Sequence, residues 1–208
     1  MTVPLIPLIS SDPPNIRGGH EYGLRIPPYS DIFHTVLHAG DSGYVASNLT
    51  RRLRMTPQEL AGYFKEPLCI FDIKADNKRD ALAEMVELVC QQHNIKDKDI
   101  ILEMLLNRES LGSTAIGKGV AFPHGRTLAI QELSVLFARS AKGVDFESVD
   151  KKPTHLFFLI IAPPQDKDNL YLQILGQMVD LIKDEEKRGR FMEAGTFEDI
   201  TAILDREE

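Results

Sequence analysis

The run Arg108-Glu109-Ser110-Leu111-Gly112-Ser113-Thr114-Ala115-Ile116-Gly117-Lys118-Gly119-Val120-Ala121-Phe122-Pro123-His124-Gly125 holds the residues best suited to chemistry. Imidazole, with an ordinary pKa of about 6.5, acts as a neutral nucleophile near physiological pH. Pro123 constrains the backbone just before His124, and Gly125 leaves room for a group to approach the ring. Gly112, Ser113, Thr114, Gly117 and Gly119 supply amides and hydroxyls that can face an anion, and Arg108 adds a permanent cation. Together they fit a histidine that accepts a phosphoryl group. Taken alone, His124 reads rather as an inert core histidine after a strand; the flanking motif turns the reading to function.

Several elements must position that run. Thr56-Pro57-Gln58-Glu59 combines an N-cap, a proline at the first helical position and a capping glutamate, which predicts a short helix to about Phe64, ending before Pro67. Leu68 to Ile73 reads as a strand. Asp76 or Asn77 caps a helix with Leu82, Met85, Val86 and Val89 at helical spacing. Asp97 caps another, with Ile100, Ile101, Met104 and Leu105 on one face and its end near Arg108. Strands are predicted near Val120–Phe122, Leu133–Ala138 and Leu156–Ile161, with Pro163-Pro164 stopping the last. A long helix from about Asn169 to Ile182 follows, and Thr196-Phe197-Glu198-Asp199 opens a final one. Strands alternating irregularly with helices predict a layered α/β domain with a mixed central sheet.

The run from Arg108 to Gly125 resembles the active-site signature of enzyme IIA of the fructose–mannitol class in the phosphoenolpyruvate:sugar phosphotransferase system, nearest its nitrogen-regulatory branch. The family's pattern is an arginine, Leu-Gly-Ser-Thr, then Ile-Gly-x-Gly-hydrophobic-Ala-hydrophobic-Pro-His-Gly. This chain carries it without a gap in Arg108, Leu111 to Thr114 and Ile116 to Gly125. The likeness extends more weakly over residues 68–208. It implies about five strands flanked by helices, with the histidine in a shallow depression. It also implies that His124 takes phosphate from the histidine-containing phosphocarrier protein and that Arg108 neutralises the phosphoryl charge.

Ser113 and Thr114 either donate to phosphate or cap local backbone. Where family members often carry a second histidine, the matching position here is Tyr171, whose hydroxyl can donate but cannot become a cation near pH 7. Tyr171 either supports the phosphate or simply packs on its helix. His155, at the start of a predicted strand, either approaches the site or is a partly buried structural residue.

Composition sets the outer bounds. With 208 residues, 43% hydrophobic and 26% charged, the chain has room for one domain and an appendage. A net charge of −7 argues against broad binding to nucleic acid or anionic membranes. The longest apolar runs are too short to span a bilayer, and the N-terminus lacks a secretory pattern, so a cytoplasmic protein is expected. Cys69 and Cys90 read as buried thiols rather than a disulfide. Residues 1–30 hold six of the twelve prolines and read as an arm. Arg51, Arg52 and Arg54 precede the first capped helix, but Pro67 and the following strand leave no room for a helix-turn-helix partner. His34 and His38 have helical metal-ligand spacing without a third ligand, and no metal or cofactor is expected. His20 and His93 have no motif context and are expected to face solvent.

The expected organisation is an N-terminal extension over 1–67, irregular or helical, and an enzyme IIA type-2 domain over 68–208. The expected function is phosphoryl carriage through a phosphohistidine intermediate, in a regulatory, nitrogen-type role, because no IIB or membrane IIC segment accompanies the domain. Two alternatives stand beside it: a fructose or mannitol uptake component with a IIB partner, and a non-catalytic binding module acting on a target protein.

Overall fold

The structure, a computed structural model, describes residues 55–166 and 169–205. All of these fall in one compact unit, Ser42–Glu208. The expectations for the proline-rich arm, His20, His34, His38 and the cluster Arg51, Arg52 and Arg54 lie outside the described residues.

Thr56 and Glu59 form the expected capping box, each side chain accepting from the other's backbone N–H, and start α1 (Pro57–Ala61). The helix is shorter than predicted because Phe64 is claimed by the sheet: β1 (Phe64–Ile70) begins there, with Phe64 buried opposite Val135. Pro67 therefore lies inside a strand. It is tolerated because β1 is an edge strand and its pairing slips between Phe64 and Cys69, so no ladder bond needs the missing N–H. The strand also crosses the position expected to divide extension from domain.

Next come α2 (Lys78–His93), capped by the Asn77 side chain, and α3 (Lys98–Ser110). The chain continues through β2 (Ala115–Gly117), β3 (Val120–Ala121), β4 (His124–Arg126), β5 (Ser134–Val144) and β6 (Thr154–Ala162). It closes with α4 (Leu170–Lys183), α5 (Glu185–Glu193) and α6 (Phe197–Leu204). The mixed sheet has six strands where about five were expected, in the order β1-β5-β6-β3-β2 with β4 also on β6. Two short strands not predicted individually, β2 and β4, frame the histidine run. Lys118 and Gly119 both take positive φ, 55° and 75°, and turn β2 into β3 as a two-residue hairpin.

Strand β6 is the centre of the sheet, buried from Leu156 through Ala162. Helices cover both its faces, which is why it reads as a continuous apolar run. On one face Phe157, Leu159 and Ile161 pack with Leu82, Met85 and Val86 of α2 and Ile101 and Leu105 of α3. On the other, Phe158 meets Phe122, Phe137 and Phe191 at 5.3–5.6 Å between ring centroids. Ile101 and Leu105 of α3 are buried as expected, but Ile100 is 51% exposed, and Leu102 and Glu109 turn inward as well.

Candidate active site around His124

Strands β3 and β4 are one line of chain interrupted by Pro123. Val120 pairs with Leu156 and His124 with Ile160, both offset by 36 residues, so the proline removes a donor without shifting the register. The Pro123 carbonyl still accepts from Ile160 at 3.0 Å. Side chains alternate along this line. Phe122 and His124 face the α4–α5 layer, where Phe122 stacks on Phe158 and His124 meets Tyr171. Gly125 faces α3: a Cβ there would stand 1.9 Å from Met104 Sδ, so the space beside Gly125 is taken by a methionine. The reading of Gly125 as room for an incoming group gives way to close strand–helix packing.

His124 is 1% exposed. Its Nδ1 lies 2.6 Å from the Phe122 carbonyl, an obligate acceptor, so Nδ1 carries the proton and Nε2 the lone pair. Arg108, in the last turn of α3, points its Nε–H at that lone pair, 3.1 Å away, while Nη1–H donates to the Gly112 carbonyl at 3.0 Å. Burial, and then the Arg108 charge, lower the His124 pKa to about 4, with the Phe122 carbonyl opposing. The ring is therefore neutral at physiological pH, with its nucleophilic nitrogen already oriented.

Glu109, the next residue along α3, points inward and is a residue that sequence reasoning missed. Its buried carboxylate accepts from the Thr114 amide at 3.1 Å and from the Thr114 hydroxyl. Lys78 of α2 stands 3.4 Å from Glu109, 2.7 Å from Glu147 and 5.4 Å from the Phe146 ring centre. Ser113 donates to the Phe146 carbonyl at 3.0 Å and accepts from the Ala115 amide. Both hydroxyls of the loop thus hold the loop itself. Arg108 and Glu109, adjacent and about 100° apart around the helix, serve the ring and the loop respectively.

Tyr171, 3% exposed in the first turn of α4, meets the His124 ring edge-on at 5.9 Å. Helix α4 starts where predicted, but Asn169 caps nothing with its side chain. Asp166 does that work, accepting from the Leu170 and Tyr171 amides, both at 2.9 Å. Arg126, two residues after His124, lies 4.9 Å over the Tyr171 ring and 3.5 Å from Asp166.

The remaining candidates lie elsewhere. His155 is half-buried near the far end of β6 and bonds the Ser140 carbonyl at 3.0 Å. His93 was expected in solvent but is half-buried, its Nε2 3.1 Å from Ser134 Oγ, because α2 ends against the start of β5. Both cysteines are free; burial pushes the Cys69 thiol up to about 12, with Glu66 adding to it, although the side chain is only half-buried. Among the described residues no cluster of His, Cys, Asp and Glu could hold a metal ion, and no helix is long and apolar enough to cross a membrane. A cavity of about 770 Å³ bordered by Tyr63, His93, Ser134 and Asp166 does not include His124.

Comparison with known proteins bears on this arrangement. A fructose-specific EIIABC component of Bacillus subtilis is 35% identical over 135 residues, 65% of this chain but only 21% of that protein. This chain therefore spans about a fifth of that relative's length. A fructose-specific EIIA component of Haloferax volcanii is 31% identical over 72% of this chain and 92% of its own. A nitrogen regulatory protein of Bradyrhizobium diazoefficiens is 35% identical over 55% and 73%. Among solved structures, nitrogen regulatory protein IIA-Ntr of Neisseria meningitidis superposes with a TM-score of 0.65 at 26% identity, covering 70% of this chain and 99% of that one. The mannitol IIA of Escherichia coli gives 0.56 at 21%, covering 68% and 98%, a likeness of fold. The family described as "Phosphoenolpyruvate-dependent sugar phosphotransferase system, EIIA 2" matches residues 63–207, and the chain belongs to that family.

Proposed function

We propose that the chain carries phosphate on Nε2 of His124, receiving it from the histidine-containing phosphocarrier protein in the cytoplasm. The observation that carries this reading is the fixed tautomer: Nδ1–H held by the Phe122 carbonyl at 2.6 Å, with the Nε2 lone pair 3.1 Å from Arg108. The Nε2 lone pair attacks phosphorus as the donor's P–N bond breaks, and the donor ring, protonated on its other nitrogen, leaves as neutral imidazole. The positive charge passes to the His124 ring, where the Phe122 carbonyl faces the Nδ1–H. Arg108 Nε–H moves off the lone pair for attack and turns its guanidinium to the phosphoryl oxygens. Ser113, Thr114 and Gly125 support phosphate indirectly, by fixing the loop and the strand that hold Arg108 and His124. A protein donor suits the exposed apolar side chains beside the site: Leu111 and Leu128, on loops beside Arg108 and β4, are 85% and 88% exposed.

The domain is taken to run from about residue 63, where the family match begins. A regulatory, nitrogen-type role with a protein target is preferred, supported by the likeness to IIA-Ntr. The specific observation favouring a sugar-uptake role with a IIB acceptor is the Haloferax volcanii relative, matched over 92% of its length.

The test is intact-protein mass after incubation with phosphoenolpyruvate, enzyme I and the phosphocarrier, beside a His124→Ala control. One acid-labile phosphoryl adduct, absent from the control, is expected. A folded protein that gains none beside working partners would overturn carriage and favour a non-catalytic binding module. Passage of the adduct to a IIB component would move the role from regulation to uptake.

A further inference from the structure

Arg126 follows His124 by two residues on β4, so the strand pleat sets both side chains on one face, their Cα atoms roughly 7 Å apart. Both rest against Tyr171: the Arg126 guanidinium carbon is 4.9 Å from its ring centre and the His124 ring 5.9 Å. The remaining contacts on Arg126 are light. Nη1–H donates to the Pro164 carbonyl at 3.1 Å, and Nη2 stands 3.5 Å from Asp166 Oδ2. That carboxylate also receives the Leu170 and Tyr171 amides at 2.9 Å, one on each oxygen, so it keeps two donors when Arg126 turns away. About a third of the Arg126 side chain is exposed, at a strand paired, among the described residues, only with β6. The cation is close to the ring, loosely held and seated on a flat platform over which it can turn.

A phosphoryl group on Nε2 brings roughly two negative charges, one of them offset by the positive ring, to a place where Arg108 already contacts that ring. Resting on the carrier reading above, we propose that Arg126 is the second phosphoryl-binding cation. It turns on the face of Tyr171 from Asp166 to the phosphoryl oxygens once phosphate arrives on Nε2. In this arrangement Tyr171 supplies the wall and Arg126 the charge.

The experiment is phosphoryl exchange between the phosphorylated phosphocarrier and the full chain, followed at several phosphocarrier concentrations. Arg126→Ala is expected to lower the maximal transfer rate, and the equilibrium constant for the phosphorylated form, each by roughly tenfold, with KM unchanged within about twofold. Arg126→Lys, which keeps the charge but loses the planar fork, should recover part of both. Arg126→Gln, which retains a donor to the Pro164 carbonyl, repeats the measurement should the alanine variant unfold. Maximal rate and equilibrium within about twofold of wild type would overturn the proposal, and so would a change in KM alone, which marks a docking contact. Wild-type protein that accepts no phosphate would instead sink the carrier reading, and this one with it.

Discussion

On the α3 side of His124 the Lys78–Glu109 contact is buried at both ends, and on the α4 side the Arg126–Asp166 contact reaches water at one. Glu109 and Thr114 are 6% and 0% exposed, and Lys78 closes their cluster from α2. Arg126 is about a third exposed and its ion pair with Asp166 is long, at 3.5 Å. Buried charge pairs are strongly destabilising to break and so fix a geometry, whereas exposed ones are worth little and can be exchanged. The first wall sets the lone pair of Nε2 and the position of Arg108 before any partner arrives. The second has the freedom to respond to new charge. A carrier that must load and unload needs both, because a site rigid on all sides would hold its phosphate too well or not admit it.

The sharpest way to break the comparison is Glu109→Ala. It leaves the buried Thr114 amide and hydroxyl without their acceptor and Lys78 with Glu147 alone, and should cost about 3–5 kcal/mol in urea denaturation. A loss under about 1 kcal/mol would mean that the loop holds itself and that the walls do not differ.

The second test is pH. His124 has a folded pKa of about 4 against an ordinary 6.5, so the unfolded chain binds the proton more readily. Its contribution is intact above pH 6.5, is lost as pH falls toward 4, and levels off below that, totalling about 3 kcal/mol. The difference in unfolding free energy between wild type and His124→Gln, measured from pH 7 to 4, should follow that curve. A flat difference would place the ring in water.

Arg108→Ala sharpens the same point. Burial is the larger cause of the depressed pKa and the Arg108 charge the smaller, so the variant's His124 should titrate higher than wild type yet still below 6.5. Ring-proton NMR reads this directly. Arg126→Ala should have the smallest effect on stability, under about 1 kcal/mol in the same urea experiment, in keeping with a long, partly exposed pair whose carboxylate keeps two amide donors. A larger loss would make the α4 wall as rigid as the other.

The parts of this site that were legible in the sequence are those written as local patterns. His124 and Arg108 stand in a long gapless motif, and the caps at Thr56, Asn77 and Thr196 start helices where their side chains require. What was not legible depends on packing between distant segments. Nothing in the spacing of Glu109 separates an inward carboxylate from a solvated helix residue, since its partners Thr114 and Lys78 converge only in the fold. Helix α5 carries no apolar period to betray it: Glu185, Glu186, Lys187 and Arg188 open it, and Phe191 alone of its residues is buried. Strand β4 was hidden by its proline and glycine, which mark turns elsewhere but here fit a line fixed by β6. The Tyr171 position was read as a departure from the family pattern, and its neighbour Arg126 went unread because only the fold sets the guanidinium over the tyrosine ring.

The central claim is that Nε2 of His124 is the accepting atom, and it is open to one direct measurement. Protein labelled with 15N in histidine, phosphorylated through the phosphocarrier, can be read by two-dimensional NMR for the ring nitrogen bonded to phosphorus. Phosphate on Nε2 of His124, with Nδ1 still protonated toward the Phe122 carbonyl, is the result expected. Phosphate on Nδ1, or on any other histidine, would contradict the tautomer and the mechanism built on it.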